Sequence, residues 1–239
     1  MKTHPHSSSS SIVVHPEIID HANNPSPRVP LAILCDTSFS MHGAPLAALQ
    51  HGLKTLFSEI QQDMLAQLRC DPSIWGFGGR VSQLMPWEST FVGATPVPEL
   101  NAAGSTPLGA AVFTAIQAIN DRRDTYRANA IPSYAPWVVI FSDGVATDEW
   151  REAAAKLSML AKNSRWNVVC LGTGPDVDLE CLAKFSPDRP PLHIRDASSC
   201  HSFAEFFRWL SASIKITSRR STSCQTTMAP LPDCIDIVE

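Results

Sequence analysis

The sequence lacks the features that mark membrane, secreted and nucleic-acid-binding proteins. Among its 239 residues, no run approaches the ~20 apolar residues of a transmembrane helix. Residues 1–11 lack the apolar centre of a signal peptide. The formal net charge is -4 and is not gathered into runs, whereas domains that bind nucleic acid usually carry a basic face. We therefore expect a cytoplasmic protein without a membrane span and without a nucleic-acid partner.

Motifs of common enzymes and zinc proteins are also missing. The seven cysteines include no Cys-x-x-Cys pair, so the usual ligand spacing of a structural zinc site is absent and reduced thiols fit best. Residues 104–109 lack the lysine of a phosphate-binding loop, and no Gly-x-Ser-x-Gly elbow is found. We predict no catalytic residues, and thus a protein that is not an enzyme.

The two ends of the chain differ in composition from its centre. Residues 1–27 contain a run of five serines and several prolines, which predicts a flexible arm, although the stretch 12–19 could still pack. Residues 219–239 show no period and predict an extended tail. An inert tail is favoured, and a docking peptide is the alternative. With 44% hydrophobic residues, the chain can bury a full core, and we expect one domain over residues 28–218.

Strand and helix patterns alternate through this central region. Gly78 and Gly79 predict a hairpin whose second strand forms an antiparallel edge. Asp148 is predicted to cap the helix that begins at Glu149. The predicted strands are Leu31–Cys35, Ser73–Phe77, Val81–Met85, Trp137–Phe141, Trp166–Leu171 and Leu192–Ile194, and the predicted helices are Ala44–Arg69, one opening at Pro107, Glu149–Lys162 and one around Phe203–Ile214.

This alternation predicts a doubly wound α/β fold. We expect a mostly parallel six-stranded sheet with one antiparallel edge strand and helices on both faces. Such sheets bind ligands beyond the carboxyl ends of their strands. Polar side chains at those ends are therefore the first candidates for a functional site.

Oxygen-bearing side chains follow the first predicted strand at alternate positions. Asp36, Ser38 and Ser40 can turn toward one point and offer it a carboxylate and two hydroxyls. Hard oxygen ligands with little negative charge suit Mg²⁺. The plainer alternative is that these residues form an Asx turn and a helix cap.

Two further segments supply the context. Residues 103–109, which include Thr106, open an apolar helical pattern, and the predicted strand Trp137–Phe141 runs into Ser142-Asp143-Gly144. If the first and fourth strands are neighbours, Asp36 and Asp143 approach each other and Thr106 completes a triangle. Each residue also has a simpler reading, as a helix cap before a proline or as the start of an Asp-Gly turn.

Together, these three segments closely resemble the metal-ion-dependent adhesion site of von Willebrand factor type A domains, and the resemblance covers about residues 28–220. It implies a Rossmann-like fold with Mg²⁺ as the bound ion and Mn²⁺ as an alternative. The implied metal ligands are Asp36, Ser38, Ser40, Thr106 and Asp143. In that family the three hydroxyls usually contact the ion, and the aspartates act largely through water.

Within this family, three stretches are most similar to bacterial TerY-type proteins of tellurium-resistance and stress operons. They are Gly-Ser-Thr-Pro-Leu-Gly, Ser-Asp-Gly-Val-Ala-Thr-Asp-Glu-Trp and the run that begins at Phe203. The resemblance implies a binding module whose ion takes an Asp or Glu from a partner protein, in a complex with Ter-system, kinase or phosphatase proteins. The alternative is a Mg²⁺-dependent phosphoester hydrolase with His42 as its base, although His42 is more simply an exposed loop histidine.

Overall fold

The computed structural model of the protein describes residues 24–87, 96–143, 145–222 and 227–237. Most of the predicted N-terminal arm, residues 1–23, lies outside these ranges. The described chain contains one sheet with the strand order β3-β2-β1-β4-β5-β6-β7. These strands are β1 (Val29–Asp36), β2 (Cys70–Gly78), β3 (Arg80–Met85), β4 (Trp137–Ser142), β5 (Asn167–Thr173), β6 (Leu192–Ile194) and β7 (Asp236–Ile237).

The centre of the sheet is parallel, and both of its edges are antiparallel. Strand β1 pairs in parallel with β2 on one side and with β4 on the other. The register runs from Leu31 opposite Trp137 to Cys35 opposite Phe141. The predicted contact between the first and fourth strands is therefore confirmed. As a result, the residues that follow these two strands emerge side by side at one end of the sheet.

Helices cover both faces of the sheet, as the sequence predicts. One apolar core lies between the sheet and helices α1 (Ala44–Gln61) and α6 (Cys200–Ser218). The other lies between the sheet and α3 (Leu108–Ala128), α4 (Arg151–Ser164) and α5 (Leu179–Phe185). Helix α2 (Met64–Arg69) and a 3-10 turn, Phe39–Met41, complete the set. None of the helices in the described ranges combines the length and the apolar character needed to cross a membrane.

Two of the predicted elements are corrected by the structure. The expected helix Ala44–Arg69 is interrupted at Asp63, whose carboxylate accepts a hydrogen bond from Ala66 N at 3.0 Å and so caps α2. The expected count of six strands is one too low, because β7 pairs antiparallel with β6. A two-residue strand has no period in the sequence, and only its tertiary pairing defines it.

The predicted role of Asp148 is also wrong, since it caps a different helix. Helix α4 begins only at Arg151. The Asp148 carboxylate instead accepts hydrogen bonds from Gly109 N at 3.0 Å and Ala110 N at 2.8 Å, in the first turn of α3. A carboxylate there satisfies free N–H groups and complements the helix dipole. Asp148 thus ties the loop after β4 to the start of α3, next to Thr106.

We expect Asp148→Ala to lower the free energy of unfolding by about 1 to 2 kcal/mol, the usual loss for a helix cap. The matched control is Asp124→Ala, because Asp124 forms an exposed i,i+3 ion pair with Arg127 on the same helix. Exposed pairs contribute little, so the control should change stability by less than about 0.5 kcal/mol. Urea unfolding measures both, and equal losses in the two variants would contradict the capping role.

Candidate metal centre

Four of the five predicted ligands form one hydrogen-bonded cluster. Ser38 N donates to Asp36 Oδ1 at 2.8 Å, and the hydroxyl oxygens of Ser38 and Ser40 lie 3.0 Å apart. Ser40 Oγ in turn donates to Asp143 Oδ1 at 2.9 Å. The loops that follow β1 and β4 therefore meet through these side chains, as their positions in the sequence predict.

Ser142 is a member of this cluster that the sequence reasoning missed. Its hydroxyl donates to Asp36 Oδ2 at 2.7 Å, so both oxygens of that carboxylate accept a hydrogen bond. The signal was available, because Ser142 is the last residue of β4 and stands one position past the pair formed by Cys35 and Phe141. The strand register places it beside Asp36.

Thr106 is held at the same end of the sheet by a reciprocal contact with Thr147. The backbone N–H of Thr106 donates to Thr147 Oγ1, and the backbone N–H of Thr147 donates to the carbonyl of Thr106, each at 2.9 Å. Thr106 is buried. The contact joins two loops that are far apart in sequence, so no local pattern reveals Thr147. It fixes the Thr106 loop to the loop that carries Asp143.

Two glycines allow the three loops to approach each other closely. A Cβ atom on Gly78 would lie 2.1 Å from the carbonyl oxygen of Thr37 and 2.5 Å from that of Ala103. Gly104 adopts a φ of 70°, which favours glycine. Its carbonyl accepts a hydrogen bond from Phe39 N at 2.9 Å. The β2–β3 turn therefore packs directly against the backbone of two loops of the site.

Burial controls the electrostatics of the two aspartates. Asp36 is fully buried, and this raises its pKa from 3.8 to about 6 against the opposing hydrogen bonds from Ser38 and Ser142. The nearby charge of Asp143 raises it further. Burial likewise raises the pKa of Asp143, opposed by the hydrogen bond from Ser40. Both carboxyl groups thus resist ionisation in the protein without an added positive charge.

The chemistry of this cluster fits a hard divalent cation. Within the described ranges, neither Asp36 nor Asp143 belongs to a salt bridge. Hydroxyl and carboxylate oxygens are the ligands that Mg²⁺ prefers, and a cation would relieve the repulsion between the two acids. The described chain has no group of three or more His, Cys, Asp or Glu side chains that could hold a metal, and this site is no exception, because three of its five predicted ligands are hydroxyls.

Exposed apolar side chains lie on the loops that carry the predicted ligands. Phe39 is 70% exposed on the loop after β1, and Val145 is 57% exposed on the loop after β4. His42, considered above as a base, stacks on Phe39 with ring centroids 6.0 Å apart. The loops thus present aromatic and apolar surface together with their oxygen atoms.

Comparison with known proteins identifies the family. Residues 31–208 match the model of the von Willebrand factor type A domain. This range spans most of the chain, and the protein therefore belongs to the von Willebrand factor type A domain family. No curated protein sequence matches the chain at a significant level.

Several solved structures share the fold at low sequence identity. Proximal thread matrix protein 1 from the mussel byssus is 14% identical, with a TM-score of 0.57, and the match covers 79% of this chain and 48% of the mussel chain. The chain thus spans about half of that structure's length. Another structure of the mussel protein is described as having a zinc-occupied MIDAS motif, with 13% identity, a TM-score of 0.52 and coverages of 79% and 49%.

Two further structures come from a parasite and a bacterium. The manganese-loaded TRAP protein of Plasmodium vivax is 17% identical, with a TM-score of 0.51 and coverages of 76% of this chain and 73% of that one. BatB from Bacteroides thetaiotaomicron is 16% identical, with a TM-score of 0.54 and coverages of 77% and 97%. At these identities the likeness establishes the fold.

We expect Asp36→Asn to stabilise the metal-free protein at pH 7. The raised pKa of Asp36, about 6, means that its buried charge opposes folding by on the order of 3 kcal/mol at neutral pH. Asn keeps the shape of Asp without the charge. The same substitution should abolish any stabilisation by Mg²⁺, because the site loses a carboxylate. Thermal unfolding with and without Mg²⁺ measures both effects.

The pH dependence gives the control for this prediction. Between pH values of about 4 and 6, folded Asp36 binds a proton that the unfolded chain releases, so stability falls as the pH rises through this window. The penalty is complete above about pH 6 and absent below about pH 4. The advantage of Asp36→Asn should therefore vanish near pH 4. An advantage of the same size at both ends of the range would contradict the assignment.

We expect Gly78→Ala to damage the site as well as the fold, because its Cβ would meet the loop backbone at 2.1 Å. The control is Gly52→Ala, whose Cβ would clash with the ring of Phe207 at 2.3 Å inside the core. Both changes should cost about 1 to 3 kcal/mol of stability through overpacking. Only Gly78→Ala should also weaken Mg²⁺ binding measured by calorimetry. Equal Mg²⁺ affinities in the two variants would show that the close packing does not shape the site.

Proposed function

We propose that this protein is a binding module whose bound Mg²⁺ takes an acidic side chain from a partner protein. The proposed metal ligands are Asp36, Ser38, Ser40, Thr106 and Asp143. The observation that carries the proposal is the connected set of hydroxyl and carboxylate oxygens that runs from Asp36 to Asp143. These side chains come from loops at one end of two paired parallel strands.

The composition of the site supports both the ion and its need for an outside ligand. Three of the five proposed ligands are neutral hydroxyls, and the resemblance implies that the two aspartates act largely through water, so little negative charge touches the ion directly. Such an ion favours a further anionic oxygen, which a partner's Asp or Glu supplies. The zinc-occupied and manganese-loaded neighbours bind divalent ions in the same fold. We assign Mg²⁺ to this chain and keep Mn²⁺ as the alternative ion.

The exposed side chains on the metal loops supply the rest of the proposed interface. Phe39 and Val145 are both exposed, and each lies on a loop that carries a proposed ligand. Aromatic side chains contribute large contact areas at interfaces. A partner would therefore place its carboxylate on the ion and apolar side chains against these two residues.

The finer assignment rests on the sequence motifs. We propose that the protein works in a TerY-type complex of tellurium resistance or stress response in the bacterial cytoplasm, with kinase or phosphatase partners. The support is the resemblance of the stretches around Thr106, Asp143 and Phe203 to that group. Fold alone does not define such a role.

We further propose that the protein does not catalyse a reaction. Phosphoester hydrolysis with Mg²⁺ requires a base that is positioned beside the ion. His42 is the candidate from the sequence, and its ring stacks on Phe39. In the described part of the chain, no carboxylate forms an ion pair with it. Turnover of a phosphoester panel by the pure protein, lost in His42→Ala, would favour the hydrolase instead.

We expect Asp143→Ala to weaken Mg²⁺ binding at least tenfold, which corresponds to about 1.4 kcal/mol. The physical reason is the loss of one of two carboxylates in a site that otherwise offers neutral hydroxyls. Isothermal titration of wild type and variant measures the change. Asp124→Ala serves as the control, because Asp124 lies on the exposed surface of α3.

The same variants test the bridging role. Wild-type protein, Asp143→Ala and Asp124→Ala are used as baits in native lysate containing Mg²⁺, and bound proteins are eluted with EDTA. We expect a partner that the wild type and Asp124→Ala recover and that Asp143→Ala does not. Identical recovery with and without Mg²⁺ in all three would overturn the proposed mechanism.

A further inference from the structure

A C-terminal segment, residues 227–237, runs back along helix α6 and ends against strand β6. We call it the strap. It lies beyond residues 31–208, which match the family model. Ala229 contacts the helix at Trp209 and Ser213, and Asp236 pairs with His193 of β6. The strap therefore crosses from the helix to the edge of the sheet.

Two hydrogen bonds hold the backbone of the first half of the strap against helix α6, as hydrogen bonds hold a bound peptide. The indole Nε1–H of Trp209 donates to the carbonyl of Ala229 at 2.8 Å, and Ala229 N donates to Ser213 Oγ at 2.9 Å. Pro230 and Pro232 follow and have no N–H group to donate. Prolines favour an extended backbone, and recognition of such segments by aromatic grooves is a recurring binding mode.

The second half of the strap is held by one buried side chain and by a short strand pairing. The side chain of Ile235 is only 6% exposed and joins the core between the sheet and α6. Strand β7 pairs with only two residues of β6. The ion pair between Arg195 and Asp236 is 2.7 Å long, but these side chains are 80% and 50% exposed, so it contributes little. Segments held in this way open more easily than core strands.

We propose that the groove beneath the strap is a peptide-binding site. It takes a proline-containing apolar segment of a partner protein that turns as the strap does, with Ile235 N bonded to the Pro232 carbonyl at 3.2 Å, when the strap opens. The seat comprises Trp209, Ser213, the pocket of Ile235 and the edge of β6 that β7 covers. The strap is the internal competitor for this seat.

Opening of the strap would expose polar groups around an apolar pocket. Without the strap, the indole N–H, a serine hydroxyl and the edge groups of β6 lose their partners, and the pocket of Ile235 is uncovered. Directional polar groups around an apolar pocket are the usual composition of a recognition site. A bare sheet edge also pairs readily with an extended chain. The chemistry of the occupant is that of the strap itself.

The proposed peptide site is independent of the proposed metal site. Helix α6 and strand β6 carry none of the five proposed metal ligands. Failure of one proposal therefore leaves the other standing. The experiment uses the full-length protein without added metal.

The test measures binding of a labelled peptide to a protein with a weakened strap. The peptide has the sequence of residues 227–237 with Cys234→Ser, and the protein carries Ile235→Asp, which removes the deep anchor and leaves α6 intact. By fluorescence anisotropy, this variant should bind the peptide at least tenfold more tightly than wild type does, because the wild-type strap competes. A scrambled peptide should not bind.

Two further variants, made in the Ile235→Asp protein, localise the binding. Ser213→Ala removes the acceptor for the peptide's backbone N–H and should weaken binding three- to tenfold, the usual effect of one hydrogen bond. Ser211→Ala is the matched control, because Ser211 is buried on the same helix and its hydroxyl has no hydrogen-bond partner in the described chain. It should leave peptide affinity unchanged. Equal effects of the two substitutions would contradict the assigned seat.

Hydrogen exchange on the wild-type protein provides a test that does not depend on any variant. The amide of Ala229 should exchange faster than the amides of β4, since the strap opens without global unfolding. Exchange of both at the same slow rate would overturn the proposal, as would equal binding of the scrambled and native peptides. A dimer of the Ile235→Asp protein that the native peptide does not dissociate would assign the seat to a second copy instead.

Discussion

The buried carboxylate of Asp36 is the constraint around which the loops of the candidate metal site are organised. It stands at the end of β1, an interior strand of the sheet, where burial disfavours its charge. Ser38 and Ser142 each donate a hydrogen bond to it, and the pairing of β1 with β4 brings Asp143 toward it. These contacts make the charge tolerable without neutralising it. A bound cation would compensate the remaining negative charge, and this links the buried carboxylate to the proposed metal-binding function.

The same region shows how packing prepares a site before any ligand arrives. Gly78 permits the β2–β3 turn to lie against the loop backbone. Thr147 and Asp148 fasten the loop after β4 to the Thr106 loop and to the first turn of α3. Because the side chains that fasten these loops are distinct from the proposed ligands, the loops are held in place by contacts that metal binding need not create. Preformed sites of this kind lose less conformational entropy on binding.

Local sequence patterns predicted some structural elements correctly and others wrongly. The strand β1 and the hairpin at Gly78 and Gly79 follow local patterns and are found where those patterns predict them. The apolar stripe predicted for the first helix holds from Leu46 to Ile60, but it ends there, and Met64 is exposed. Asp148 was assigned to the wrong helix, because a side chain just before one helix can equally reach the start of another across a loop. Strand β7 was missed, since two residues carry no pattern and their pairing with β6 is entirely non-local.

The sequence by itself determined the α/β class, because the strand and helix patterns are local, and its resemblance to the adhesion site supplied the five candidate ligands. The proposed metal-binding role of those residues stays a prediction. Only the tertiary structure showed that Ser142 and Thr147 support the cluster and that residues 227–237 lie on α6. The reason is physical: hydrogen bonds between distant loops and the burial of a tail depend on strand order and register, which local preferences of the chain do not encode.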